Sequence, residues 1–152
     1  MSVDKEILNN RSAYFEYHIL ETFEAGAVLL GTEVKSIMAG RIQLKESFVQ
    51  IKSGEIWLLG AHISHYSHGN INNHDVLRPR KLLLHQKEIE KLEKETTQKG
   101  MTLVVTSIYW KNGRIKFEIG VAKGKKLYDK RETEMRKTVE KETRAELKQT
   151  LR

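Results

Sequence analysis

The chain has 152 residues, with 27 Lys or Arg against 20 Asp or Glu, and no Cys. That length allows one domain, or one domain with a tail. The lack of Cys excludes disulfides and thiolate zinc sites, and no apolar run reaches the ~20 residues of a membrane span. Residues 1–6 have neither the basic nor the apolar region of a signal peptide, so a soluble cytoplasmic protein is expected. The charge is uneven. Residues 1–122 hold 16 basic and 14 acidic side chains, whereas residues 123–152 hold 11 and 6. A nearly neutral body with a basic tail points to a polyanionic partner. A membrane surface fits less well. The tail's apolar residues Met135, Val139, Leu147 and Leu151 drift around a helix and include no Trp or Phe.

In chain order, residues 1–13 are polar and predict a short helix or a loose arm. Tyr14–Phe23 is aromatic and β-branched, which predicts a strand, broken by Glu24-Ala25-Gly26 and resumed at 27–30. Thr32 is placed to cap a short helix ending at Gly40. Residues 47–52 and 55–63 predict a hairpin turning at Ser53-Gly54. Residues 64–81 form the longest predicted loop, and Leu82-Leu83-Leu84 a short buried segment. Gln86–Lys99 predicts a charged helix with Ile89 and Leu92 inward and Gly100 as its stop. Residues 102–110 and 114–121 predict two long strands around the Asn112-Gly113 turn.

Six strands in three hairpin-like pairs predict a mainly β protein. A small antiparallel chain removes its edges by closing, so the expectation is a closed barrel of the OB type with a few flanking helices. Residues 1–122 would form this body. Residues 123–152 have too few apolar side chains to order alone, and would be a basic tail disordered until bound.

Catalytic motifs are weak. His62, His65 and Asp75 resemble metal ligands, with His68 and His74 nearby, but a strand sends i and i+3 to opposite faces, so loop and surface histidines are the favoured reading. Gly120–Lys126 falls one residue short of a phosphate-binding GxxxxGK loop, and Lys126 stands where Ser or Thr should bind Mg²⁺. The lysines there suit direct phosphate neutralisation instead. No nucleophile–base arrangement is present, and the carboxylates of Glu88, Glu90, Glu93 and Glu95 read as a solvated helix face. Arg78-Pro79-Arg80-Lys81 is a compact basic cluster, equally compatible with phosphate contacts and with a solvated loop. No catalytic residue, metal or cofactor is expected.

Several stretches together resemble a known family. They include Phe23-Glu24-Ala25-Gly26, Leu30-Gly31-Thr32-Glu33-Val34-Lys35-Ser36 and Gly54-Glu55-Ile56-Trp57-Leu58-Leu59-Gly60. They continue with Asn73-His74-Asp75, Arg80-Lys81-Leu82-Leu83-Leu84-His85, Ile108-Tyr109-Trp110-Lys111-Asn112-Gly113, Gly120–Lys126 and Asp129-Lys130-Arg131. From about Asn10 to Arg131 the chain resembles the small protein B family, the tmRNA-binding (SsrA-binding) proteins of bacterial trans-translation.

The resemblance implies a non-enzymatic RNA-binding adaptor, and the chain is assumed to be a monomer. Its OB-fold body would grip the tRNA-like domain of tmRNA, and its tail would enter the decoding centre and vacant mRNA channel of a stalled ribosome. By position it implies Asn10, Tyr17, Glu24, Lys35, Arg80, Lys81, Leu83 and Lys116 as tmRNA-binding residues. Lys116 suits phosphate and Tyr17 suits stacking. Glu24 would accept hydrogen bonds from a base or 2′-OH, or brace a neighbouring cation. Leu83 fits a core position more easily than a contact. Lys123, Gly124, Lys125, Lys126, Tyr128, Asp129, Lys130 and Arg131 match the stretch used for ribosomal accommodation, with Tyr128 placed to stack on a decoding-centre base. Two segments depart from the family's pattern. Ser12-Ala13-Tyr14-Phe15 replaces a basic run, and Val76 replaces a loop proline while Pro79 appears further on. The competing readings are a general single-strand-binding OB protein and a hydrolase using His62, His65 and Asp75.

Overall fold

The computed structural model describes residues 4–67 and 73–125. Its strands are β1 Lys5–Asn9, β2 Tyr17–Ala27, β3 Ile42–Gln43, β4 Phe48–Lys52, β5 Glu55–Leu59, β6 His62–Ile63, β7 Arg80–Leu83, β8 Thr102–Lys111 and β9 Arg114–Gly124. Its helices are α1 Arg11–Glu16, α2 Gly31–Met38 and α3 Gln86–Lys99. The described protein is therefore mainly β with a few helices.

All the strand pairs are antiparallel. β8 pairs with β4, β4 with β5, β5 with β7, β7 with β2, β2 with β9, and β9 again with β8. The pairings thus pass through six strands and return to their start. The link between β4 and β8 is the thinnest, a single register pair of Val49 with Leu103. β1 adds to β8, and β3 with β6 forms a separate two-stranded sheet. Inward-facing Ile56, Leu58, Leu82, Ile108, Phe117 and Ile119 fill the ring, and Ile89 and Leu92 of α3 join the same core.

Local sequence explains the turns and one helix in full. Ser53 and Gly54 have φ of 53° and 75°, and Asn112 and Gly113 have 52° and 73°. Two successive positive φ values are what a tight two-residue hairpin needs. α3 starts and stops where its sequence predicts, with Gly100 left-handed at its end.

Other expectations are corrected by long-range pairing. Residues 5–9 are a strand rather than an arm, because β8 supplies its partners from Lys5–Trp110 to Asn9–Ser107. Tyr14, Phe15 and Glu16 belong to α1, where Ala13 is the buried residue. β2 runs unbroken through Glu24-Ala25-Gly26, since β9 pairs with Glu24 and Ala25 and β7 with Gly26. Ladder bonds there outweigh the local permissiveness of glycine. Leu30, not Thr32, precedes the first turn of α2, and its N–H donates to Glu33 Oε1 at 2.8 Å. Of the three leucines 82–84 only Leu82 is buried.

β9 also reaches further than expected. Lys123 pairs with His18 and Gly124 with Tyr17, so the first residues assigned to the tail lie in the sheet. The Lys125 N–H then donates to the Glu16 carbonyl at 2.9 Å. Lys126, Tyr128, Asp129, Lys130, Arg131 and the expected disorder of the tail lie outside the described residues, as does His68.

Candidate nucleic-acid interface

Strand alternation decides which side chains of β2, β8 and β9 face outward. Ala25, Phe117 and Ile119 are fully buried, so their neighbours Glu24, Gly26, Lys116 and Glu118 point to the other face. Register then sets who meets whom. Glu24 lies opposite Glu118, Lys116 opposite Tyr109, and Gly26 opposite Leu83. Gly26 has no side chain, and Leu83 and Lys116 close in on the space above it. From where a Cβ would sit, Leu83 Cβ is 3.6 Å away and Lys116 Nζ 3.9 Å.

Glu24, Leu83 and Lys116 come from three strands and 92 positions of sequence, yet they line one open cleft of about 730 Å³. Leu29, Val34, His85, Trp110 and Arg114 also line it. Leu83 is 50 % exposed, which corrects the expectation of a core leucine.

Glu24 braces a neighbouring cation. Lys111 Nζ donates to its Oε2 at 2.8 Å. That hydrogen bond, with help from the Tyr109 hydroxyl and the charge of Lys116, holds its carboxyl below the usual carboxylate range despite partial burial. Burial and the Glu24 charge push the Tyr109 phenol well up, so Tyr109 remains a neutral donor.

The remaining candidates are dispersed. Asn10 and Tyr17 line a separate, small depression with Phe48, near where β9 ends. The Asn10 side chain donates to the Val105 carbonyl at 2.8 Å, tying the β1–α1 junction to β8. Lys35 is exposed on α2, with its ammonium 5.2 Å from the centre of the Tyr66 ring. Lys81 lies 3.4 Å from Glu55 on the neighbouring strand. Lys123 and Gly124 are exposed at the end of β9.

Arg80 is a correction. Alternation along β7 turns it inward with Leu82, and it is 0 % exposed. Its Nε donates to Glu33 Oε2 at 2.6 Å, Nη1 to the Ala61 carbonyl at 2.7 Å, and Nη2 to the carbonyls of Asp75 and Val76. It holds the body together and offers no phosphate contact. Arg78 also reaches Glu33, so the basic cluster read from sequence is divided between interior and surface. The histidines have local roles. His74 is buried, with its ring nitrogens 2.9 Å from Thr32 Oγ1 and 2.8 Å from the Ile63 carbonyl, and His65 packs edge-on against it. Among the described residues no group of three or more His, Asp or Glu side chains is arranged to hold a metal.

The family model for SmpB protein matches residues 7–149. The chain belongs to the SmpB family. An SsrA-binding protein of Ligilactobacillus salivarius is 55% identical over 145 residues, 95% of this chain and 94% of its own length. That of Thermosynechococcus vestitus is 56% identical over 129 residues, 84% of this chain and 85% of its own. A chain solved in "tmRNA-SmpB: a journey to the center of the bacterial ribosome" is 45% identical, with a TM-score of 0.67. The match covers 80% of this chain and 86% of the solved one.

Reading the SmpB-family sequence alone missed Tyr109, Lys111 and Arg114 as neighbours of the cleft. The sequence places Lys111 at the β8–β9 turn and in a family-matching stretch, without assigning it a side-chain partner. The strand period would have placed Lys111 on the Tyr109 face, but only the β2–β9 register reveals Glu24 beside it.

Proposed function

We propose that this SmpB-family chain is an RNA-binding adaptor. It binds the tRNA-like domain of tmRNA and delivers it to stalled ribosomes for trans-translation. The observation that carries the reading is the convergence of Glu24, Leu83 and Lys116 on one cleft in a chain of this family. Lys116 and Arg114 neutralise phosphate at its edge. Glu24 accepts hydrogen bonds from RNA donors, and Leu83 packs against a sugar or base. The ring of six paired antiparallel strands supports a closed barrel of the OB type as the body.

The end of β9 and the residues beyond it form the second part of this reading. Lys123, Gly124, Lys125, Lys126, Tyr128, Asp129, Lys130 and Arg131 contact the small-subunit decoding centre, and the rest of the tail follows the empty mRNA channel. The RNA and the protein together then stand in for a tRNA. Peptidyl transfer is the ribosome's reaction, and the adaptor is a cytoplasmic monomer that needs no cofactor.

The test has two measurements. In a gel shift, the chain should bind the tRNA-like domain of tmRNA more tightly than an unrelated tRNA; equal binding would favour a general nucleic-acid binder. Removing residues 126–152, which leaves β9 intact, should spare RNA binding and abolish tagging on stalled ribosomes. Tagging by the truncated chain would refute the tail's role.

A further inference from the structure

Helix α1 is too short to hold its own place. It has six residues, Arg11–Glu16, and only Ala13 is buried, against Val104 of β8 and Ala122 of β9. A helix of that length is not stable alone in water, so its position is set by its ends. At the front stands Asn10. An Asn there ordinarily turns its side chain back to cap the helix, and this one does not. Its Nδ2 donates to the Val105 carbonyl at 2.8 Å, and its backbone N–H donates to the Thr106 carbonyl at 2.8 Å. The β8–β9 register shifts between Val105 and Ser107, and a bulge of this kind leaves backbone groups outside the ladder. Asn10 takes up two of them. On that edge β8 pairs with β1 from Ser107 to Trp110 and with β4 at Leu103, and Asn10 fills the gap between. At the back of α1, the Glu16 carbonyl accepts the Lys125 N–H at 2.9 Å, one residue past the end of β9. Residues 126–152 begin at that link.

We infer that Asn10 is a positioning residue for the tail. It clasps the bulge of β8 and so fixes α1, and the last carbonyl of α1 fixes the point and direction from which residues 126–152 depart. The inference rests on the two-part reading above, in which the tail acts on the ribosome. The effective concentration of a tethered segment at its target depends on where its root is held. With the body held by tmRNA, the tail meets the decoding centre as often as its root aims it there. Asn10 lines no part of the cleft that contains Glu24, Leu83 and Lys116, so its role runs through Lys125 and not through contact with tmRNA.

Asn10→Asp separates this clasp from a helix cap. Aspartate caps a helix as well as asparagine does, but its carboxylate brings no donor to the Val105 carbonyl. In the full chain, amide hydrogen exchange at Lys125 should quicken about tenfold, the scale of one lost hydrogen bond, and stay unchanged at Phe117 and Ile119 within β9. Unchanged exchange at Lys125, or faster exchange throughout, overturns the inference. On stalled ribosomes the variant should tag several-fold less than the parent. Its binding to the tRNA-like domain of tmRNA should stay within about twofold, as for independent sites. Tagging at the parent level, or RNA binding that falls as far as tagging, also overturns it. A second pair of variants acts at the other end of the link. Lys125→Ala keeps the N–H and Lys125→Pro removes it, and both lack the side-chain charge. Lys125→Pro should tag less than Lys125→Ala, and equal tagging overturns the inference. The chain without residues 126–152, run alongside, reports separately on the tail: tagging by it refutes the two-part reading and leaves the exchange result standing.

Discussion

Arg80 and Glu33 form an ion pair in which neither side chain is exposed, with Nε 2.6 Å from Oε2. Forty-seven positions apart, they join β7 to α2 through the interior. The other Arg80 donors meet three backbone carbonyls, so each of the three guanidinium nitrogens has an acceptor. Arg80→Met strands Glu33 with one fewer partner and should cost about 3–5 kcal/mol in urea unfolding. A loss below about 1 kcal/mol would show that the pair is not structural.

Acid should attack the same place. Burial alone would raise the Glu33 pKa, but hydrogen bonds from Arg78, the Leu30 N–H and Arg80 outweigh it and hold the carboxyl below its usual value. A depressed folded pKa contributes stability that is fully present above the unfolded value, about 4.3, and is lost as pH falls through the folded one. Stability of the parent chain should therefore fall more steeply below about pH 4 than that of Glu33→Gln. Parallel curves would contradict this.

Lys111 keeps Glu24 ionised, so its loss should move the pH dependence of RNA binding. In Lys111→Met the Glu24 pKa returns toward the ordinary carboxylate value of about 4.3. As pH is lowered, binding should then fail at a higher pH than in the parent chain. Fluorescence anisotropy from about pH 3 to 7 measures this, and an unmoved midpoint would dissociate Glu24 from recognition.

Leu83 and Lys116 should separate contact from fold. Leu83 is half exposed, so Leu83→Ala should change unfolding free energy by less than about 1 kcal/mol while weakening RNA binding measurably. Lys116→Ala should reduce the slope of log affinity against log salt by about 0.7–0.9, the signature of one lost phosphate contact. An unchanged slope would place Lys116 away from the RNA backbone.

Gly60 is required by its surroundings as well as its conformation. Its φ is +72°, and a Cβ there would lie 2.5 Å from the Glu46 carbonyl oxygen. Gly54 has a similar φ of +75° with open space around it. Gly54→Ala should cost the left-handed strain alone, about 1–2 kcal/mol, and Gly60→Ala clearly more. Equal losses in thermal unfolding would mean that the Glu46 backbone yields freely.

Legibility followed the range of the interactions. Gln86–Lys99 was readable to both ends because its apolar spacing and Gly100 lie within it. The β8–β9 hairpin was readable because Asn112-Gly113 specifies its own turn. β1 was not, since its polar sequence becomes a strand only through β8, about a hundred residues away. Arg80 was misread for the same reason. A basic residue beside Arg78 and Lys81 reads as surface until the inward face of β7 and the position of Glu33 are known.

The sequence by itself determined the turns, the long helix, the uneven charge and the family. Each is carried by neighbouring residues or by a pattern spread along the chain. Only the tertiary structure decided that Glu24, Leu83 and Lys116 share a cleft, that Arg80 does not belong with them, and that the sheet extends to Gly124. Those facts depend on strand register, where a shift of one residue exchanges the inner and outer faces. The register is set by burying Ala25, Phe117 and Ile119 together, a condition that no short segment contains.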